Sequence, residues 1–249
     1  MYSGEADILE MRLNILSPHV DTFIIAESEI TFAGYSKPLY FEKEAGRFRP
    51  FFSKILYLPI ISFYEPFLLK YLDSLGTTEI SYCHRNAFYQ KEYLQMGMQN
   101  LKDDDTIYFG DCDEIWTPQQ VADEPAKLEQ LVYTNQLNRR SSEHWRGTAI
   151  ATYKKVKQYG LNQIRLKAKN THKNGGWHMT NMGGYEAVKR KIESYDHQEI
   201  NTPEIHAMLQ ERVESGQDFL GRDIQTFIDE KDWPLYLKEN RERYQHLCT

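Results

Sequence analysis

Apolar runs and helical periods take turns along the first half of this chain, and that alternation limits its possible folds more than any other feature. From Asp7 to Leu16, Ile8, Met11 and Ile15 recur at helical spacing beside Leu9, Leu13 and Leu16, and Ser17-Pro18 ends the helix. Thr22 to Ala26 reads as an apolar strand, and Ile55 to Leu58 as a second one stopped by Pro59. Arg85 to Leu101 reads as a helix with Leu94, Met98 and Leu101 on one face, and Thr106 to Phe109 as a third strand. Strands lacking a polar face need cover on both sides, and intervening helices supply it. The expected fold class is therefore α/β, Rossmann-type, with a mostly parallel central sheet flanked by helices in a single domain. A chain of 249 residues is long enough to bury such a core.

Asp111 and Asp113 stand one residue apart just past the Thr106–Phe109 strand and Gly110, where open α/β sheets place their ligand crevice. Carboxylates held this close repel, and a shared divalent cation that prefers oxygen, Mg²⁺ or Mn²⁺, relieves the repulsion. A calcium loop is a competing reading, since Asp103, Asp105 and Glu114 fall at its first, third and twelfth positions. It fails because Ile107 and Tyr108 occupy the ligand and glycine positions between them.

Composition removes several function classes. Hydrophobic content of 41% with 13% aromatic is too high for a disordered chain, and a net charge of -6 is wrong for a general nucleic-acid binder. Three cysteines in no ligand pattern point to a reducing compartment. The sequence holds no apolar run of about 18 residues and no signal-like start, so the expectation is a soluble cytoplasmic protein without a membrane span.

Thr31 to Pro50, rich in Gly, Pro, Lys and aromatics, reads as a long functional loop. Beyond the acidic pair, Pro125 to Val132 reads as a helix, and Thr148–Tyr153 and Ile164–Lys169 as strands. No Asp or Glu occurs between His144 and Tyr185, where Arg146, Lys154, Lys155, Lys157, Arg165, Lys167, Lys169 and Lys173 all fall. That asymmetry suggests a surface that meets an anion; a solvated charged face is the plainer alternative. Lys173 to Gly184 carries two glycine pairs around Trp177-His178 and reads as a loop in which Trp177 could stack on a base or sugar and His178 could bind metal or phosphate. Glu186, at the start of a Tyr185–Ser194 helix, is a candidate general base, or a carboxylate favoured there by the helix dipole, and Asp196 and Glu199 beyond it are equal candidates. A last helix, opened by Trp233-Pro234, runs to Leu247.

Asp7 to Leu13, Val20 to Ser28 with Thr31, Gly34 and Lys37-Pro38-Leu39, Asp111 to Ile115, Trp145-Arg146-Gly147 and Gly176-Trp177-His178 resemble, in order and spacing, glycosyltransferase family 17, the β-1,4-mannosyl-glycoprotein N-acetylglucosaminyltransferase family. The resemblance spans about residues 5 to 200. It implies a GT-A fold, a UDP-sugar donor (UDP-GlcNAc in known members), a glycan acceptor and inversion at the anomeric carbon. Asp111 and Asp113 become the Asp-x-Asp motif for Mn²⁺ or Mg²⁺, with His178 as a further ligand. Glu27, Arg85, Asp111, Trp177 and His178 become donor contacts. Residues 1–116 form the nucleotide-sugar half and 117–249 the acceptor half. The chain begins almost at its first helix, so the strand that precedes this helix in the family is expected to be shortened or missing, and a soluble bacterial or viral relative is implied. Two other classes use the same residues: a metal-dependent phosphohydrolase or nucleotidyltransferase, and a carbohydrate-binding module without turnover.

Overall fold

The structure, a computed structural model, describes residues 1–62, 66–76, 80–121 and 123–248. In chain order its elements are α1 (Ala6–Leu16), β1 (Phe23–Ser28), α2 (Tyr40–Phe48), β2 (Ile55–Ile60), α3 (Pro66–Ser74), α4 (Tyr82–Glu92), β3 (Thr106–Phe109), β4 (Glu114–Trp116), β5 (Ala126–Leu128) and β6 (Gln130–Thr134). There follow β7 (Arg139–Trp145), β8 (Ala149–Thr152), α5 (Tyr153–Tyr159), α6 (Leu161–Lys167), β9 (Asn170–His172), β10 (Gly176–Thr180), α7 (Gly184–Ser194), α8 (Pro203–Ser215), β11 (Thr226–Ile228) and α9 (Leu235–Glu239).

The fold is mixed α/β, but the sheets are not mostly parallel. β1 and β2 pair in parallel on their own, a five-stranded sheet runs β11-β7-β6-β10-β4, and a four-stranded sheet runs β3-β8-β5-β9. Parallel pairing joins β1 to β2, β6 to β10 and β5 to β9. Antiparallel pairing joins β4 to β10, β7 to β11, β3 to β8, β5 to β8 and β6 to β7. The second half of the chain supplies these antiparallel ladders, and β3–β8 and β4–β10 stitch it to the first.

Several local expectations change with it. Pro125–Val132 is not a helix: β5 and β6 lie there, because sheet partners on both sides outweigh the helix-forming Ala-Lys-Leu-Glu-Gln stretch. Ile164–Lys169 is not a strand: α6 buries Leu161 and Ile164 one turn apart and leaves Leu166 exposed. β2 continues through Pro59 to Ile60; it pairs with β1 alone among the described residues, and an edge strand tolerates the missing N–H. The Thr31–Pro50 stretch contains α2, the Arg85–Leu101 helix gives way to a 3₁₀ turn at Tyr93, and the closing helix breaks at Asn240.

The main core joins α1, β1 and α2 to the five-stranded sheet and the C-terminal turn, with Met11, Leu13, Leu16, Phe48, Ile115 and Tyr133 fully buried. A second cluster lies between α3, α4, β3 and β8, and a small third one joins α7 to α8 through Val188, Ile192, Leu209 and Val213. Burying each such aliphatic side chain stabilises the fold by about 1.5–3 kcal/mol. Among the described residues no helix is long and apolar enough to cross a membrane.

Candidate active site

A cleft of about 1000 Å³ opens where the β3–β4 turn meets β10, the start of α1 and one face of α7. Asp111, Cys112 and Asp113 form its floor, with His178 of β10, Trp145 of β7, Lys91 of α4 and Lys191 of α7 around them. The acidic pair is therefore in a cleft, as its place after a strand predicts, although that strand belongs to the four-stranded sheet.

Two buried charges hold the acidic turn in shape. Arg12 donates from one guanidinium nitrogen to the carbonyls of Asp111 (3.1 Å) and Cys112 (3.5 Å) and closely to that of Glu114. Glu114 is wholly buried. It accepts from Trp145 Nε1 (2.7 Å), Thr148 Oγ1 (2.9 Å), the Asp111 N–H (3.2 Å) and Arg165 (2.7 and 3.3 Å). Glycine is required where this knot is tightest: a Cβ on Gly147 would lie 2.0 Å from Glu114 Oε1 and 1.9 Å from Trp145 Nε1. Trp145-Arg146-Gly147 and Asp111-x-Asp113-Glu114, distant in sequence, thus meet on one carboxylate.

Asp111 Oδ2 accepts from Arg165 at 2.7 Å, and its Oδ1 lies 3.7 Å from Lys91. Asp113 Oδ2 lies 3.4 Å from Lys191 and 3.5 Å from His178 Nε2. Burial alone would raise both carboxyl pKa values, but Arg165 and Lys91 around Asp111, and Lys191 and His178 around Asp113, hold both well below the usual range. Both groups are thus ionised at neutral pH. His178 stacks on Trp145 (centroids 5.0 Å apart), and its Nδ1 is buried with no hydrogen-bond partner.

Trp177 and His178 sit on a central strand, not in a loop, so successive side chains leave opposite faces. His178 faces the cleft; Trp177 packs into the main core, donates Nε1 to the Asp232 carbonyl (2.6 Å) and lines a separate small cavity. The stacking role expected of Trp177 does not fit that position. Trp145, which the expectations gave no role in the cleft, is the indole that lines it.

The other candidates scatter. Glu27 is fully buried and accepts from the Tyr40 and Phe41 N–H groups, Lys37 and Tyr57, so it caps α2 and does not line the cleft. Arg85 pairs with Asp73 at 2.6 Å, away from the cleft. Glu186 is exposed, and α7 turns Ala187, Arg190, Lys191, Glu193 and Ser194 to the cleft instead. Glu199 is exposed and bonded to His197, while Asp196 is buried outside the cleft lining. Two carboxylates that sequence reasoning missed, Glu5 and Glu193, do line the cleft, and neither forms an ion pair among the described residues. Four of the eight cations of the acid-free stretch pair with carboxylates elsewhere in the chain: Lys155 with Glu124, Lys157 with Asp103, Arg146 with Glu129, Arg165 with Asp111 and Glu114.

The family model described as Glycosyltransferase family 17 matches residues 1–231. Neither the curated proteins nor the solved structures give a match.

Proposed function

The chain belongs to glycosyltransferase family 17, and from that premise we propose that it is a metal-dependent inverting enzyme of GT-A type. It would move a sugar, GlcNAc by family resemblance, from a UDP-sugar to a glycan hydroxyl. The observation that carries this reading is the convergence of Asp111, Asp113, His178 and two lysines in one cleft.

Asp111 and Asp113, with His178 beside them, are the side chains that would hold a Mn²⁺ or Mg²⁺ ion, and they would have to draw together around it. Carboxylate oxygens suit such ions, and Asp113 Oδ1 accepts no hydrogen bond among the described residues; His178 faces Asp113 through Nε2, at 3.5 Å. When bound, the cation offsets negative charge building on the departing diphosphate. Lys37, Lys91, Arg190 and Lys191 line the same cleft and bind diphosphate oxygens, while Phe32, Tyr35 and Tyr40 offer rings to the uracil. Inversion in a single displacement needs a base for the acceptor proton on the face opposite the leaving group. Glu5 and Glu193, which line the cleft, are better placed for that role than Glu186, which does not.

The test is calorimetric UDP binding with and without Mn²⁺, together with sugar transfer from a panel of UDP-sugars. Asp113→Ala abolishes metal-dependent UDP binding; Glu5→Gln or Glu193→Gln lowers turnover by about 10²–10⁴-fold, and Glu186→Gln leaves it within about twofold. Metal-independent UDP binding with no transfer from any donor would refute the reading. Phosphate release without transfer would favour a phosphohydrolase, and sugar binding that survives Asp113→Ala without turnover a binding module.

A further inference from the structure

Beside the cleft, and sharing none of its acidic residues, a second group of metal-ligating side chains comes together. His84, in the first turn of α4, and Asp196 and His197, just past α7, present ligand atoms that all lie within 4.8 Å of one another. Asp196 is 7% exposed, and its Oδ1 is buried without a hydrogen-bond partner. A carboxylate oxygen left in that state is unfavourable unless some partner takes it.

Both imidazoles carry an oxygen partner at Nδ1. Ser81 Oγ lies 2.6 Å from His84 Nδ1, and Glu199 Oε1 lies 2.6 Å from His197 Nδ1. The Glu199 carboxylate, an acceptor, favours the His197 tautomer whose lone pair is on Nε2, the support that metal-binding histidines ordinarily receive, while the Ser81 hydroxyl orients the His84 ring. The two rings stand edge to face with centroids 4.8 Å apart. Glu199, expected from sequence to be a candidate base, finds its use here.

We propose that His84, Asp196 and His197 form a second divalent-metal site, selective for a zinc-like ion over Mg²⁺. Two imidazoles and one carboxylate suit borderline ions and supply too few oxygens for Mg²⁺ or Ca²⁺. Bonds of about 2.0–2.1 Å in a tetrahedral shell require ligand atoms about 3.3 Å apart, so binding contracts the cluster. His197, being exposed, can rotate to allow it. The ion would tie the start of α4 to the α7–α8 connection. Lys91 on α4 and Tyr195 beside Asp196 both line the cleft, so the tie braces one wall of it. The proposal does not rest on the glycosyltransferase reading.

The experiment uses the full chain carrying Asp113→Ala, which removes a carboxylate of the first site, stripped with chelator and titrated with Zn²⁺ by calorimetry and with Co²⁺ by visible absorption. The expected result is one equivalent of Zn²⁺. Adding His84→Gln or His197→Gln then weakens binding at least about 100-fold and removes the Co²⁺ band, while thermal melting in chelator stays unchanged. Asp196→Asn, nearly isosteric, gives the same loss. Zn²⁺ affinity and stoichiometry unchanged by the two histidine variants would overturn the proposal, as would no binding tighter than about 1 mM in the Asp113→Ala protein.

Discussion

Glu114→Gln tests whether the acidic turn is held by a buried charge or merely packed. The Glu114 carboxylate has no exposed surface and accepts from Trp145, Thr148, Arg165 and the Asp111 N–H. Making it neutral leaves the nearly buried Arg165 with Asp111 alone and turns an amide NH₂ toward groups that are mostly donors themselves. Removing one member of a buried ion pair costs about 3–5 kcal/mol. Total stability for a domain is about 5–15 kcal/mol, so the loss is a large fraction of it. At about 2–4 °C per kcal/mol for a chain of this size, the thermal midpoint falls by about 6–20 °C. Urea and thermal denaturation followed by circular dichroism measure this directly. Arg165→Met is expected to be costly too, and the double variant to cost less than the sum by more than about 1 kcal/mol. A Glu114→Gln penalty below about 1 kcal/mol, or strict additivity, would refute the reasoning.

Gly147→Ala drives a methyl into Glu114 Oε1 and Trp145 Nε1; a urea-measured loss of about 2 kcal/mol or more is expected, and a neutral result means the knot is looser than described. Acid sensitivity follows from the depressed pKa values of Asp111 and Asp113. Their unfolded value is about 3.9, so the unfolded chain binds protons first. Their stabilisation is complete above about pH 4 and is lost as the pH falls further. Asp113→Asn therefore flattens the fall of the urea midpoint below about pH 4, and an unchanged slope contradicts the assignment. Lys191→Ala removes a cation 3.4 Å from Asp113 that also lines the cleft. It is expected to tighten Mn²⁺ binding in the absence of nucleotide while weakening UDP binding in its presence, and calorimetry showing both moving together counts against the dual role.

Legibility in the sequence followed how far each signal was local. α1, β1 and α7 were readable because their apolar spacing agrees with their burial, and β3 because its β-branched and aromatic run stops at Gly110. β10 was not. Its glycines read as a loop, yet Gly176 has φ +114° and a Cβ there would lie 2.2 Å from the Ile115 carbonyl, so glycine is what lets β10 lie against β4. Misreading that strand misdirected Trp177, whose side follows from the alternation with His178. Glu27 failed for a related reason: the helix whose N-terminal N–H groups it accepts lay inside a stretch read as loop. Arg165 was hidden twice, by a helix that resembles an alternating strand and by a partner, Asp111, that only tertiary structure brings near.

Aspartates already facing cations would be closed to a metal if every pair were tight, and the distances divide them into two kinds. Arg165 donates to Asp111 Oδ2 at 2.7 Å and is tied to Glu114 as well, so it belongs to the frame that aims the turn. Lys191 is bound more closely to Thr180 Oγ1, at 2.8 Å, than to Asp113, at 3.4 Å, and Lys91 stands 3.7 Å from Asp111. These ammonium groups lie beyond the length of a normal charge-assisted hydrogen bond. A divalent ion in contact with the same oxygens carries twice the charge at a shorter distance, where unit charges about 4 Å apart already interact by about 4 kcal/mol near a protein surface. On the proposed function, the carboxylates would exchange these lysines for the metal. The lysines so released would remain in the same cleft. In that reading the pairing keeps the acids ionised and holds beside them the cations proposed to bind the diphosphate.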